Sequence, residues 1–391
     1  MMERALAHIE KVEWKRPIEG ADSIELIGIL GWVCIAKIDE FDVGDKCVYI
    51  EIDSLAPKSD ERFAFLESKK YKIKTMKLNK FNVISQGLAL PISSFPEIAD
   101  NDIGTDVTKE LKITYYSEDD RKRKTNKPNP DAKYKSMCSR HPNLAKKKWW
   151  RWMMKRKWGK KLLFIFFGKK KDKPLAFPDW IKKTDEERIE NLPWLLESKE
   201  KWIVSEKLDG TSCTYAINKT KKNNYEFIVC SRNVRQLDRD QDTYHFEGHK
   251  PESNIYWELA DKYDIKHKLT EFAKKNGYDR VVLQGEGVGS VQGNPYKLAE
   301  NRLYCFNLVI NGNRIGTIEL KEWCDKNNMQ CVPIVDAEPE LSHDMESMKL
   351  EADGFSIINP KVKREGFVYR LPDGSQSFKN VSREYLLHKR D

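Results

Sequence analysis

A strongly basic segment divides the chain and limits how it can fold. Between Arg121 and Lys173 there are 21 lysines and arginines but only two acids, Asp131 and Asp172, so the segment carries +19. Because the net charge of the 391-residue chain is +9, everything else carries −10 (9 − 19). The first half of the segment has no periodic apolar face, which is typical of a linker. We therefore expect three parts: a β-rich domain (1–114), a basic linker or insertion (115–173) and a second domain (174–391).

Several classes of protein are disfavoured by simple patterns. The eight cysteines include no CxxC pair, so the spacing of a structural zinc site is absent. The longest apolar run, Leu162–Phe167, has six residues and is too short to cross a bilayer. No signal-peptide pattern precedes residue 20, so we expect an intracellular and most simply cytoplasmic protein.

Residues 1–114 have the pattern of an all-β domain. The runs "ELIGILGWVCIAKI", "DKCVYIEI" and "KLNKFNVISQGLALPI" alternate in hydrophobicity and are separated by turn residues. Short strands with little helix favour a small barrel, and the five-stranded OB type is the expected architecture.

The second half of the basic segment interleaves aromatic residues with lysines, including Trp149, Trp152 and Trp158. Three interpretations remain open. The segment is a solvated insertion, a nucleic-acid contact with lysines on phosphates and tryptophans on bases, or an attachment to an anionic membrane surface. Of the last two, the sequence favours contact with nucleic acid.

Residues 174–391 mix helices and strands. Thr184 followed by Glu187 forms a capping-box pattern, which predicts a helix that ends before Pro193. The stretch "WIVSEKLDGTSCTYAI" predicts a hairpin turning at Asp209-Gly210. Further on we expect helices near 268–275 and 321–328, and strands in "DRVVLQGEGV", "RLYCFNLVINGNRIGTIEL", "GFVYRL" and "SFKNVS". This order predicts an α+β domain built on antiparallel sheets.

Lys207 stands two residues before the turn of that hairpin. It is either a solvated lysine or a nucleophile, and four residues of "KLDG" do not decide between the two. Further polar and aromatic positions follow in order: Arg232 in "CSRN", Glu286 in "LQGEGVG", Phe306 in "LYCFNL", Glu365 in "REGFVYR" and Lys379 in "SFKNVS".

This ordered series resembles the covalent nucleotidyltransferase superfamily of ATP-dependent ligases and mRNA-capping enzymes, with Lys207 to Gly210 as its KxDG nucleophile motif. The match runs from about Thr184 to Ser382. The preceding "FPDWIKKTDEERIENLP" and the β-rich domain resemble one branch, the ATP-dependent RNA ligases with an amino-terminal OB domain. The resemblance implies an OB-type barrel followed by an antiparallel-sheet nucleotidyltransferase (ATP-grasp-like ligase) domain.

The resemblance also implies an activity and a set of roles. The enzyme would join RNA 3′-hydroxyl and 5′-phosphate ends in RNA repair, through AMP bound to a lysine and then to the 5′ end. Its cofactors would be ATP and Mg²⁺ or Mn²⁺. The implied catalytic residues are Lys207, Asp209 and Lys379; the metal ligands are Asp209, Glu286 and Glu365; the nucleotide contacts are Glu206, Arg232, Glu286, Phe306, Lys363 and Lys379.

The chemistry restricts the nucleophile further. A lysine that attacks the α-phosphate of ATP must be neutral, although its ordinary pKa is about 10.4. We therefore expect burial and neighbouring cations to lower the pKa of Lys207.

One position departs from the family pattern. Related ligases usually carry two lysines in the last motif, and Ser377 stands where the first would be. Either Lys379 alone faces the phosphate, or a lysine from elsewhere, such as Lys361 or Lys363, supplies the missing charge. Twelve residues follow Lys379, which leaves no room for a trailing OB domain and favours an RNA ligase over DNA ligases and capping enzymes. The alternatives are a nucleic-acid-binding OB protein with a decayed transferase domain, or a polynucleotide ligase acting on DNA-containing nicks.

Overall fold

The fold is described from a computed structural model. It describes residues 5–116, 134, 137–138, 141–167, 175–236, 254–337 and 340–388. Of the predicted basic linker or insertion (115–173), residues 117–133, 135–136, 139–140 and 168–173 lie outside the described residues. None of the helices in the described ranges combines the length and apolar character that crossing a bilayer requires.

The amino-terminal part consists of short strands, as predicted. Two antiparallel three-stranded sheets form its main body: β5 lies between β1 and β10, and β3 lies between β2 and β4. Two apolar clusters fill this part, one around Phe63 and Phe95 and one around Trp32 and Tyr49. The strands are β1 (Ala7–Lys11), β2 (Trp14–Pro17), β3 (Ile24–Ile29), β4 (Trp32–Lys37), β5 (Lys46–Ile50), β6 (Ser54–Leu55), β7 (Lys72–Ile73), β8 (Met76–Leu78), β9 (Val83–Ser85), β10 (Leu88–Pro91) and β11 (Thr114–Tyr115).

The second half of the basic segment is helical. It forms α1 (Pro142–Ala145), α2 (Lys148–Met154) and α3 (Lys157–Phe167). Trp150 and Leu163 pack with Tyr134 and Met137 in a small apolar cluster. This part of the segment therefore has a core of its own.

The carboxy-terminal part contains two sheets. The first has the order β12-β17-β16-β15-β18-β19-β20, with β21 beside β19, and the second has the order β13-β24-β23-β14-β22. All pairs are antiparallel except β13 with β24 and β19 with β21. The strands are β12 (Leu175–Ala176), β13 (Glu187–Arg188), β14 (Ile203–Lys207), β15 (Thr211–Lys219), β16 (Tyr225–Cys230), β17 (Val234–Arg235), β18 (Arg280–Val288), β19 (Arg302–Ile310), β20 (Asn313–Arg314), β21 (Gln330–Cys331), β22 (Ile334–Asp336), β23 (Gly366–Arg370) and β24 (Ser377–Val381).

In the described ranges of this part, five α-helices accompany these sheets. The predicted helix near 268–275 is confirmed and ends at Gly277, whose φ of 72° is the left-handed conformation that a glycine adopts readily. The helix expected at 321–328 begins earlier, at Thr317. The helices are α4 (Ile255–Lys262), α5 (Ile265–Asn276), α6 (Thr317–Lys326), α7 (Met345–Glu351) and α8 (Arg383–His388).

The capping-box prediction is wrong. Residues Glu187–Arg188 form β13 and add to the edge of the second sheet beside β24, and a 3₁₀ turn, Ile189–Asn191, follows. Pairing with the sheet therefore overrides the local preference for a helix start.

The prediction of a hairpin at Asp209-Gly210 is also wrong, and the actual connection between the strands bears on function. β14 pairs with β22 and β23, whereas β15 pairs with β16 and β18, so the two strands belong to different sheets. Residues 208–210 therefore carry the chain from one sheet to the other. Gly210 is needed there because a Cβ atom would stand 2.4 Å from the carbonyl oxygen of Gly287.

Candidate active site

A cleft of about 460 Å³ opens where the two sheets meet. The second sheet contributes Glu206 and Lys207 from β14 and Lys379 from β24. The first sheet contributes Glu286 from β18 and Phe306 from β19. Arg232 and Glu365 complete the predicted residues in the lining.

Lys207 faces carboxylates. Its Nζ atom lies 2.8 Å from Oε2 of Glu365, and 26% of its side chain is exposed. Desolvation lowers the pKa of Lys207, but the charges of Glu365, Glu286 and Asp209 outweigh it and hold the pKa above its usual value. The expected lowering of the Lys207 pKa is therefore not observed, because acids surround the amine.

Two other groups have pKa values close to neutrality. Burial raises the pKa of Glu286 to about 8, and the negative charge of Glu365 adds to the effect. Burial lowers the pKa of Lys379 to about 8, together with the positive charges of Arg188 and Lys207. Burial is thus the main cause of both shifts, and the positive charge of Lys207 opposes the rise at Glu286.

Phe306 reaches the cleft through a β-bulge. In the β18–β19 ladder Gln284 pairs with Asn307 and Gly285 pairs with Cys305, so Phe306 is the extra residue. Its carbonyl oxygen accepts a hydrogen bond of 2.7 Å from Nη1 of Arg370. The bulge therefore places an aromatic face in the lining of a polar cleft.

Asp209 and Glu206 are held by neighbouring groups. The Tyr385 hydroxyl donates to the Asp209 carboxylate, and the Asp209 backbone N–H donates to the Tyr296 hydroxyl at 2.7 Å. Glu206 is 1% exposed, and its Oε2 accepts a 2.8 Å hydrogen bond from the backbone N–H of Ile357. Among the described residues its Oε1 has no hydrogen-bond partner, and burial raises the pKa of this carboxyl.

Not every predicted residue is brought into the centre. Arg232 lies at the exposed side of the cleft and pairs with Asp185 at 2.6 Å. Lys363 lies outside the lining, where its ammonium pairs with Glu384 at 2.6 Å. Its prediction as a nucleotide contact is therefore not supported by its position, since an acid on α8 holds it.

Two arginines stand beside Ser377, and Nη2 of Arg314 donates a 3.1 Å hydrogen bond to the Ser377 hydroxyl. Arg370 is the cross-strand partner of Ser377, so both side chains stand on one face of the sheet. Nη2 of Arg370 lies 3.1 Å from Oε1 of Glu186, whose Oε2 accepts a 2.5 Å hydrogen bond from the Ser377 hydroxyl. Unlike Lys363, Arg370 lines the cleft, so it is a candidate for the charge that Lys361 or Lys363 was expected to supply, and it too pairs with an acid, Glu186.

Comparison with known proteins identifies the fold and the family. The profile of an OB-fold domain matches residues 6–92, and the RNA ligase profile matches residues 200–383. A *Naegleria gruberi* RNA ligase mutant without ligand is 30% identical and covers 99% of this chain and 98% of its own, with a TM-score of 0.65. The chain belongs to the RNA ligase family.

Ligand-bound structures of the same Naegleria ligase are also similar to this chain. A mutant with AMP and Mn is 30% identical, covers 99% of both chains and has a TM-score of 0.66. Another mutant, with ATP and Mn, is 29% identical, covers 98% of this chain and 99% of its own, and has a TM-score of 0.66. The search of curated proteins found no significant match.

The two profiles and the similar ligase structures confirm the predictions of family, fold class and enzymatic activity: this chain is an RNA ligase that forms phosphodiester bonds.

Three further residues of the ligase line the cleft but were not among the predicted site residues. Arg188, Arg370 and Tyr385 line the cleft. Arg188 lies in "DEERIENLP", where a helix was predicted, so its position at a sheet edge was not expected. Arg370 ends the quoted "REGFVYR", and its cross-strand relation to Ser377 was the available signal. Tyr385 has no signal in the sequence, since it follows the last motif on a short helix.

The carboxylates of the ligase's cleft fit a divalent cation that is also bound by waters and substrate phosphates. In the described ranges no three acidic, histidine or cysteine side chains form a complete metal site. Glu365 and Glu286 nevertheless offer carboxylate oxygens beside Lys207, whose pKa the charges of both acids raise. Mg²⁺ is usually held by one or two carboxylates together with waters and substrate phosphates.

Proposed function

We propose that this RNA ligase uses ATP and a divalent cation to join RNA 3′-hydroxyl and 5′-phosphate ends through a lysyl-AMP intermediate on Lys207. The observation that carries the proposal is the position of Lys207, where it faces Glu365 at 2.8 Å in the cleft that Phe306 and Lys379 also line. ATP- and AMP-bound structures of the similar *Naegleria* ligase support the choice of nucleotide.

The nucleotide would lie between the two sheets. Phe306 offers a ring for the adenine, and the carboxyl of Glu206, which also lines the cleft, can accept a hydrogen bond from an exocyclic amine. Lys379 and Arg370 supply positive charge for the α-phosphoryl oxygens, in the role that two lysines fill in related ligases.

In the first step Nζ of Lys207 attacks the α-phosphorus of ATP. A P–N bond forms, the bond to the bridging oxygen breaks, and pyrophosphate leaves with its electron pair. In the structure Glu365 favours the protonated amine, which cannot attack. Glu365 and Glu286 would hold the divalent cation, which would supply charge neutralisation at the phosphates. The amine must give up its proton before it attacks, and the Glu365 carboxylate, 2.8 Å from Nζ, is the acceptor within reach.

Two further transfers complete the reaction. The 5′-phosphate of RNA attacks the lysyl-AMP phosphorus, which releases Lys207 and leaves AMP on the RNA end. The 3′-hydroxyl oxygen then attacks the 5′-phosphate, forms the phosphodiester bond and expels AMP. Each step exchanges one bond at phosphorus, so Lys379 and Arg370 can stabilise all three.

The test follows AMP attachment directly. With labelled ATP and Mg²⁺ or Mn²⁺, we expect a denaturation-stable, acid-labile protein–AMP adduct that Lys207→Ala abolishes and the surface control Lys219→Ala retains. A full adduct in Lys207→Ala would place the nucleophile elsewhere. The absence of any adduct in the unsubstituted chain would favour a binding protein with a decayed transferase domain.

A second experiment addresses the ends that are sealed. We expect a nick with an RNA 3′-hydroxyl and a 5′-phosphate to be closed, and the same nick with a 3′-phosphate to be left open. Equal sealing of a nick with a DNA 3′-hydroxyl would contradict RNA specificity and favour a general polynucleotide ligase.

A further inference from the structure

The short helix α8 connects the OB domain with the active site. On one side, Nη2 of Arg383 donates a 2.7 Å hydrogen bond to the carbonyl oxygen of Gly31, and the Lys77 ammonium donates to the carbonyl oxygen of Leu387. On the other side, Tyr385 lines the cleft and its hydroxyl donates to the Asp209 carboxylate. Six residues therefore link a loop of the OB domain to the nucleophile motif.

Contacts within the transferase domain fix the orientation of α8. The Ser382 hydroxyl oxygen accepts a 3.0 Å hydrogen bond from the backbone N–H of Tyr385, and that hydroxyl donates to Asp353 at 2.6 Å. The guanidinium of Arg383 contacts both oxygens of Glu346, at 2.8 and 2.9 Å. Tyr385 is 8% exposed. A side chain held in this way presents its hydroxyl in one direction.

The Tyr385 hydroxyl helps to set the angle of the Asp209 carboxylate. The backbone of Asp209 is fixed by the Tyr296 hydroxyl, and a donor to one carboxylate oxygen restricts rotation about the last side-chain bond. The resemblance gives Asp209 a role beside the attacked phosphate, where a small rotation would misplace an oxygen.

We propose that Tyr385 is the positioning residue of Asp209 and that α8 makes this positioning depend on docking of the OB domain at Gly31. The inference rests on the proposed function of the cleft. It adds a connection between the two domains: displacement of Arg383 from Gly31 shifts α8, and the hydroxyl of Tyr385 leaves Asp209.

The first test uses Tyr385→Phe in the full-length chain. This substitution keeps the ring and removes only the donor, so the melting temperature should stay within about 2 °C of the unsubstituted value. We expect the single-turnover rate of AMP attachment to fall at least tenfold, because hydrogen bonds to charged groups are among the stronger ones. The affinity for ATP alone should change less than twofold. Tyr369→Phe, which removes a hydroxyl that contacts Glu351, is the matched control and should keep the rate.

Binding of the metal supplies a readout besides activity. Mn²⁺ affinity in the presence of ATP, measured by electron paramagnetic resonance, should weaken at least threefold in Tyr385→Phe and remain unchanged in Tyr369→Phe. An unchanged affinity together with an unchanged rate would refute the role of Tyr385. If the unsubstituted chain forms no adduct, the proposed function fails, but the comparison of Mn²⁺ affinities still tests the role of Tyr385.

The second test is a double-mutant cycle between Arg383→Met and Tyr385→Phe. If both act through Asp209, Arg383→Met slows AMP attachment at least fivefold in the unsubstituted chain but less than twofold in the Tyr385→Phe background. Full additivity would overturn the connection to the OB domain. Glu346→Gln is the control for the other contact of Arg383; its amide oxygen can still accept a hydrogen bond from the guanidinium and keep α8 in place, so we expect it to keep more than half of the rate.

Discussion

A buried ion pair beneath β24 gives a sharp test of the packing that supports the site. Lys349 and Glu190 have side chains that are 1% and 0% exposed, with Nζ 2.7 Å from Oε1. Lys349 also donates a 2.8 Å hydrogen bond to the carbonyl oxygen of Val381, on the strand that carries Lys379. Lys349→Met keeps the volume but leaves the Glu190 carboxylate buried without this partner. We expect the free energy of unfolding to fall by about 3–5 kcal/mol, the usual cost of breaking a buried pair.

Urea unfolding followed by tryptophan fluorescence measures the change, and the melting temperature should fall by roughly 10 °C. Lys321→Met is the matched control, since it breaks an exposed pair with Asp325 at a similar distance, 2.6 Å, and should change the midpoint little. The double variant Lys349→Met/Glu190→Met removes both charges and should recover most of the lost stability.

The pH dependence gives an independent check. Although burial opposes the charge of Glu190, Lys349 and Arg188 hold the pKa of this carboxyl below its usual 4.5. A group with a lowered folded-state pKa stabilises the fold above its unfolded pKa and loses that contribution as the pH falls through the folded value. The double variant should therefore lose less stability on acidification. If Lys349→Met is no less stable than Lys321→Met, or if the double variant is as unstable as Lys349→Met, an unpaired buried charge is not the cause.

Further predictions concern the nucleotide, a strand and the OB domain. Phe306→Leu should weaken ATP binding by about 1–3 kcal/mol, measured by calorimetry, because leucine cannot stack on adenine; unchanged affinity would make Phe306 a core residue only. Gly366→Ala should destabilise β23 in thermal melting, since φ is +143° and a Cβ would stand 2.1 Å from the Asn380 carbonyl oxygen; an unchanged melting temperature would contradict this. Burial opposes the charge of His8, but two buried carboxylates raise its pKa from 6.5 to about 9. Its contribution of roughly 3 kcal/mol is therefore present below pH 6.5 and lost as the pH rises through 9, and His8→Gln should flatten this loss in urea titrations.

The sequence by itself determined the family and the order of the two domains, and it supplied most of the candidate site residues. Lys207, Glu286, Phe306 and Lys379 were recognisable because each sits in a short motif, and the motifs follow one another in a fixed order along the chain. The strands in "DRVVLQGEGV" and "GFVYRL" were predictable for a similar reason, since alternation of side chains is a local property.

The tertiary structure alone decided how these motifs meet. A turn at Asp209-Gly210 is compatible with a hairpin, and only pairing with β22 and β23 on one side and β16 and β18 on the other shows that it joins two sheets. The hydroxyl that reaches Asp209 belongs to Tyr385, 176 positions along the chain. Contacts over such separations leave no periodicity in the sequence, because they depend on which sheet edges and helix faces come together when the core is buried.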